Sequence, residues 1–307
     1  MNTFFYRLLI FGLVALIMSC APEPVPPYLG LTPPGDTPEK FAPGVVSLPD
    51  RYEFGSTFNR AGDEFYFAYN VANRTEIHQM KVQDGEWLAP RLLVGDDYFN
   101  YNDPMLSNDE KRLYFISRRP IQIDTENPAN VENPNNDIWY VQRQENGWSQ
   151  PVNAGPNINT DREEFYMSFT QDGDLCYSSN QQAPEDTIFN FDILISKLEN
   201  GVFQKPEKMD PNIQSIAYDG DPYIDPKQRY VIFTSDRRGG FGKTDLYISY
   251  QDQDGSWTKA KNLGDLYNTD DQELCPYITP DQKYFFYTSA QDIYWVSAKF
   301  ITDGILL

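Results

Sequence analysis

The chain is 307 residues long and carries 25 Lys and Arg against 45 Asp and Glu, a formal charge of -20. Such a chain repels phosphate backbones and anionic lipid surfaces, which excludes nucleic acid as an expected partner. The 21 Tyr, 20 Phe and 5 Trp argue against disorder, and the Gly and Pro spread along the chain point to many turns.

The first element is a targeting segment. "MNTFFYR" carries one positive charge, "LLIFGLVALIM" is short for a membrane span, and "SC" follows directly. Residues 1–19 therefore read as a lipoprotein signal peptide and Cys20 as the site of lipid attachment, because several acyl chains on one Cys anchor stably. The alternative is an ordinary secretory signal with an incidental Cys. Residues 20–40, beginning "CAPEPVPPYLG", read as a Pro-rich tether or as a disordered N-terminus. The expected location is the cell envelope, lipid-anchored in the outer membrane, with the side left open.

From residue 41 to 301 one unit repeats. Its first halves are "EFGSTFNRAGDEFYFAYN" from Glu53, "DPMLSNDEKRLYFISRR" from Asp103, "EFYMSFTQDGDLCYSSN" from Glu164, "DPYIDPKQRYVIFTSDR" from Asp221 and "ELCPYITPDQKYFFYTS" from Glu273. Each is a short strand, a turn and an aromatic strand. The second halves, such as "NDIWYVQRQENGWSQPVNAG" and "TDLYISYQDQDGSWTKAKNLG", supply two more strands. Phe58, Leu106, Phe169, Ile224 and Ile278 are equivalent, at steps of 48, 63, 55 and 54 residues. Four strands per unit of that length predict an all-β chain forming a single β-propeller of five blades. The fifth unit lacks its outer strand, so residues 41–49 ("FAPGVVSLP") are predicted to pair with it and close the ring. Residues 302–307 form a C-terminal tail, and a monomer is expected.

The pattern "SDRRGGFGKTDLYIS…GSWTKAKNLG…PYITPDQKYFFYTS" resembles the WD-like repeats of TolB-like propeller proteins of the bacterial envelope, over roughly residues 41–300. TolB-like propellers usually have six repeats where this chain has five. The resemblance implies a propeller fold and a binding role in the envelope; fold alone does not carry function.

Propeller geometry puts the turns between first and second strands on one face, all of them short. The long loops, 120–136, 181–190 and 236–243, lie on the other face with the connections between blades, and this long-loop face is the predicted binding face. Glu53, Asp103, Glu164, Asp219, Asp221 and Glu273 start the inner strands there, around the mouth of the channel. Such a ring of acids reads as a set of backbone caps, as a cation site (calcium being the one possible cofactor), or as a glycosidase pair. Five-bladed propellers do host glycoside hydrolases, so glycan binding or hydrolysis is the rival to protein binding. Tyr101, Tyr223 and Tyr277 are candidate glycan platforms. Arg118, Arg119, Arg237, Arg238 and Lys243 give the mouth a basic rim suited to an envelope protein or a cell-wall glycan.

The remaining signals read as scaffold. Glu76, Asp137, Asp192, Asp245 and Asp292 precede the third strands and are expected to cap turn N–H groups. Trp87, Trp148, Phe203 and Trp257 are expected to pack between blades. His78 is the only histidine and is placed on a strand surface, so no His-rich metal site or conventional triad is available. "RRGGFG" joins two antiparallel strands and opens no helix, so phosphate binding there is not expected. Cys176 and Cys275 fall on non-adjacent units and are predicted to be buried free thiols. No catalytic residue is assigned.

Overall fold

A computed structural model of the chain describes residues 25–122, 135–180 and 190–301. They form five antiparallel blades around one axis. Each inner strand pairs with an aromatic second strand, then a third, then a short outer strand. Blade one runs Glu53–Phe58, Glu64–Val71, Arg74–Gln83 and Arg91–Val94. Blade four runs Asp219–Ile224, Tyr230–Ser235, Asp245–Tyr250 and Lys261–Asn262. The inner and second strands of blade four are buried at every position, because each blade is covered by its neighbours on both faces. That is why the second strand, YVIFTS, reads as a nearly continuous apolar run and not as strict alternation.

The ring closes as expected in kind but at a different place. Glu39–Lys40, and not residues 41–49, is the outer strand of blade five, pairing with Trp295 and Tyr294. The Phe41 N–H continues this edge to the carbonyl of Ile293 at 2.8 Å, and the Ser297 N–H reaches the carbonyl of Gly35 at 2.9 Å. Residues 42–49 turn back instead, with Val45 and Val46 bonded to the carbonyl of Ala42. Phe41 fixes the register. It is fully buried, and its ring meets Phe65, Phe286 and Trp295 edge-on at 5.0–5.3 Å.

The described part of the Pro-rich stretch is docked and not free. The carbonyl of Pro26 accepts from the Trp87 indole at 3.3 Å, and the Tyr28 N–H donates to the carbonyl of Gly62 at 3.1 Å. The buried Tyr28 ring wedges between Phe58 and Tyr284, 5.0 Å from each. An aromatic that can be buried at the foot of the propeller outweighs the extended preference of the prolines around it. The signal peptide, Cys20 and the tail 302–307 lie outside the described residues.

Every inner strand carries a one-residue bulge at its third position, counting Tyr101 as the first in blade two. The bulge residues are Gly55, Asp103, Tyr166, Asp221 and Cys275, with φ of 60°, 53°, 40°, 48° and 54°. Bulges re-aim a side chain. Here they turn the third position of each blade toward the propeller axis.

Candidate functional sites on the two faces and the axis

The six acids expected to share one mouth belong to two different rows. Glu53, Glu164, Asp219 and Glu273 occupy the first position of their strands and are fully buried. Glu164 accepts from the hydroxyls of Thr160 and Ser179, and Glu273 from those of Thr269 (2.7 Å) and Ser289 (2.8 Å) and from the Thr269 N–H. Asp219 accepts from the Ser215 N–H and hydroxyl, from Ser235 and from Arg237 at 2.5 Å. Glu53 pairs with Arg51 and keeps one oxygen buried without a partner. Burial pushes the carboxyls of Glu53 and Glu273 up. Glu164, Asp219 and Glu273 are loop caps, formed where Thr or Ser four residues upstream and Ser on the second strand supply donors, whereas Glu53 takes Arg51 and the Leu48 N–H instead. Glu273→Ala should therefore lower stability by roughly 2–3 kcal/mol, since it strands two hydroxyls and an N–H. Urea denaturation checks this, and an unchanged midpoint would contradict the cap.

Asp103 and Asp221 belong to the bulge row and meet at the axis. Cys275 lies between them. Its thiol donates to Asp103 at 3.3 Å and its N–H donates to Asp221 at 3.1 Å. Tyr218 donates to Asp221 at 3.4 Å, and the Tyr166 hydroxyl crosses to the carbonyl of Pro276 at 2.8 Å. Asp103 keeps part of its surface open although it lies deep in the ring. Burial, then the charge of Asp221, pushes Asp103 up to about 7. Burial pushes Asp221 up to about 6. The same surroundings raise the Cys275 thiol. Cys176 and Cys275 are both free and buried, so neither should react with a thiol reagent in the folded protein. Labelling of intact protein against urea-unfolded protein reads this directly. Among the described residues no three His, Cys, Asp or Glu side chains form a metal-ligating group.

The remaining candidates divide by face. Tyr223 and Tyr277 are buried near the short-turn face and their hydroxyls bond backbone of the next blade, so neither is a glycan platform at the mouth. Tyr101 is buried too, bonded to Asp96. Arg237 is not on the rim. It is drawn inward by Asp219 and the carbonyl of Ile213 and lies over Phe233 and Tyr247. Arg118, Arg238 and Lys243 do reach solvent, Arg118 paired with Glu163 at 3.0 Å and Lys243 with Asp271 at 2.6 Å. His78 is buried and not on a surface, stacked on Tyr69 at 4.0 Å, and burial lowers its pKa.

The second repeated acids clasp outer strands more than turns. Asp137 accepts from Asn153, Asp192 pairs with Lys208 and Asp292 pairs with Lys40. Asp245 also caps a turn, taking the Phe241 and Gly242 N–H groups of "RRGGFG" at 2.7 and 3.0 Å. Two of that loop's amides are thereby occupied. A side chain at Gly242 would strike the carbonyl of Asp271 at 2.2 Å, so the position requires glycine.

Two surface features were missed in the sequence. Of the ten exposed large hydrophobic side chains among the described residues, six lie on the long-loop face: Val45, Tyr98, Ile121, Ile216, Phe241 and Leu266. Ile216 is 87% exposed and Ile121 74%. Most of the long loops at 120–136 and 181–190 lies outside the described residues. On the opposite, short-turn face a cavity of about 950 Å³ opens between blades two and three and runs to the axis.

No family model matches the chain, and no curated protein matches it. Solved structures do. A putative TolB from Agrobacterium tumefaciens is 16% identical, with 79% of this chain and 71% of that one covered and a TM-score of 0.48. TolB from Acinetobacter baumannii is 12% identical over 79% of this chain and 53% of that chain, TM-score 0.49. A gluconolactonase from Xanthomonas campestris is 14% identical over 87% and 97%, TM-score 0.45. Likenesses this distant say nothing about what the chain binds or converts.

Proposed function

We propose that this chain is a non-catalytic binding protein of the cell envelope, held by a lipid on Cys20, whose long-loop face engages another envelope protein. The observation that carries this reading is the apolar set Val45, Tyr98, Ile121, Ile216, Phe241 and Leu266 on one face, with Arg118, Arg238 and Lys243 exposed among it. Isolated surface hydrophobics need no explanation, but a set gathered on one face with a polar rim fits a protein interface.

The docked N-terminal segment supports the orientation. Pro26 and Tyr28 sit on the short-turn face. The six residue steps from Cys20 to Pro26 span at most about 22 Å. An anchor at Cys20 holds the short-turn face toward the bilayer and turns the long-loop face away from it, toward a partner. Cys20→Ser should move the protein from the membrane fraction to the soluble one.

Glycoside hydrolysis draws no support from the mouth. Its first-row carboxylates are buried in caps, and the axial pair is bridged by Cys275. Hydrolysis needs one carboxyl free to protonate the leaving oxygen and another facing the sugar.

Co-purification from detergent-solubilised envelope tests the reading. Ile216→Asp with Phe241→Asp should remove the partner that wild type retains, while Asp103→Asn retains it. Loss on Asp103→Asn with retention on the double variant would move the site to the axis.

A further inference from the structure

Four of the five seams between blades are fastened near the short-turn face by one device. The next-to-last residue of an inner strand bonds the last inner-strand residue of the following blade. Thr57 accepts from the Leu106 N–H at 3.4 Å, and Ser168 accepts from the Ile224 N–H at 2.9 Å. Tyr223 donates to the carbonyl of Ile278 at 3.2 Å. Tyr277 serves both groups of Phe58, accepting from its N–H at 3.0 Å and donating to its carbonyl at 3.3 Å.

The seam from blade two to blade three breaks the pattern. Met105 holds the equivalent position and has no hydroxyl to offer. Its target would be Phe169. The ladder bond beside Phe169 is Thr170 N–H to the carbonyl of Asp174 at 3.0 Å. Antiparallel bonds alternate, so the N–H and C=O of Phe169 both point away from their own blade. No described residue bonds either. Phe169 is 6% exposed and lines the cavity at this seam, so its two backbone groups are open to a partner there.

The cavity of about 950 Å³ opens at this seam. Met105, Leu106, Tyr114, Phe169, Leu198 and Phe203 give it an apolar wall, and charged and polar groups such as Arg112, Gln142 and Asp172 line the rest. A donor and an acceptor on one residue, set beside that apolar wall, match the C=O and N–H of one residue of an extended chain. Such a chain places apolar side chains in the slot at alternate positions.

We propose that the seam between blades two and three is a second binding site, which takes an extended peptide segment through the N–H and C=O of Phe169. It is separate from the long-loop face and does not depend on it.

The test uses the purified soluble chain and a defined library of acetylated, amidated decapeptides with Val or Leu alternating with Ser or Lys, read by fluorescence anisotropy. Met105→Ser supplies the missing hydroxyl at the Phe169 N–H and should weaken binding at least tenfold. Met105→Leu, with no hydroxyl, should bind within about twofold of wild type. Binding untouched by Met105→Ser, or no wild-type binding to any member, overturns the proposal. Weakening by Ile216→Ser alone moves peptide binding to the long-loop face and also overturns it. Concentration-dependent self-association that Met105→Ser abolishes would make the occupant a second copy instead. The long-loop reading survives each of these failures, because its own test is partner loss on Ile216→Asp with Phe241→Asp.

Discussion

Phe41→Ala should destabilise the propeller by about 3–5 kcal/mol, the usual cost of emptying a buried Phe site. Phe41 has no exposed surface, and its ring sits among Phe65, Phe286 and Trp295. It also continues the edge on which Glu39 and Lys40 complete blade five. Losing the ring therefore loosens the one seam where the two ends of the chain meet. An opened seam exposes the edge of Asp292–Ser297, an invitation to aggregation. In a domain of this size the midpoint of thermal unfolding should fall by about 5–9 °C. Circular dichroism and urea titration check both figures. A loss under about 1 kcal/mol would mean that Phe41 does not fasten the ring.

Asp103→Asn should make the protein more stable at pH 8 and change it little near pH 4. The sign follows from the raised carboxyls. Burial and the facing charge hold Asp103 up to about 7, and burial holds Asp221 up to about 6. Between the ordinary carboxylate range near pH 4 and those values, the folded chain keeps protons that the unfolded chain has released. Stability from this pair is present at low pH and is lost as pH rises through about 6 to 7. Removing one charge removes that loss. The gap between variant and wild type should widen from pH 5 to pH 8 by an amount on the order of a few kcal/mol. Asn keeps an oxygen to accept from Cys275, so the geometry is preserved. Urea midpoints at pH 5, 6, 7 and 8 decide the matter, and a constant gap would show that the pair is already screened.

The blades were legible because an aromatic second strand and a polar turn recur five times, and both are local signals. The closing strand was displaced because Glu39–Lys40 is a two-residue exposed strand with no apolar signature. What marks the closure is Phe41, and its meaning depends on rings more than two hundred residues away. The mouth was misread for a geometric reason. A one-residue bulge separates the first position of each inner strand from the third, and acids stand at both. Asp103 was aligned with Glu53, whereas Tyr101 holds that place in blade two and Asp103 matches Asp221. The dipeptides Asp103-Pro104, Asp221-Pro222 and Cys275-Pro276 mark the bulge row and were the available signal. The open seam at Met105 was not legible at all, because a missing bond shows only beside the four that are made.

The central claim is that the long-loop face is the working surface. A photoreactive side chain placed at Ile216 or Phe241 in cells tests it most directly, compared with one at Leu92 or Val152 on the blade sides, all four positions being exposed. One discrete adduct is expected from Ile216 and from Phe241, and none from Leu92 or Val152. Adducts from the blade sides alone would contradict it.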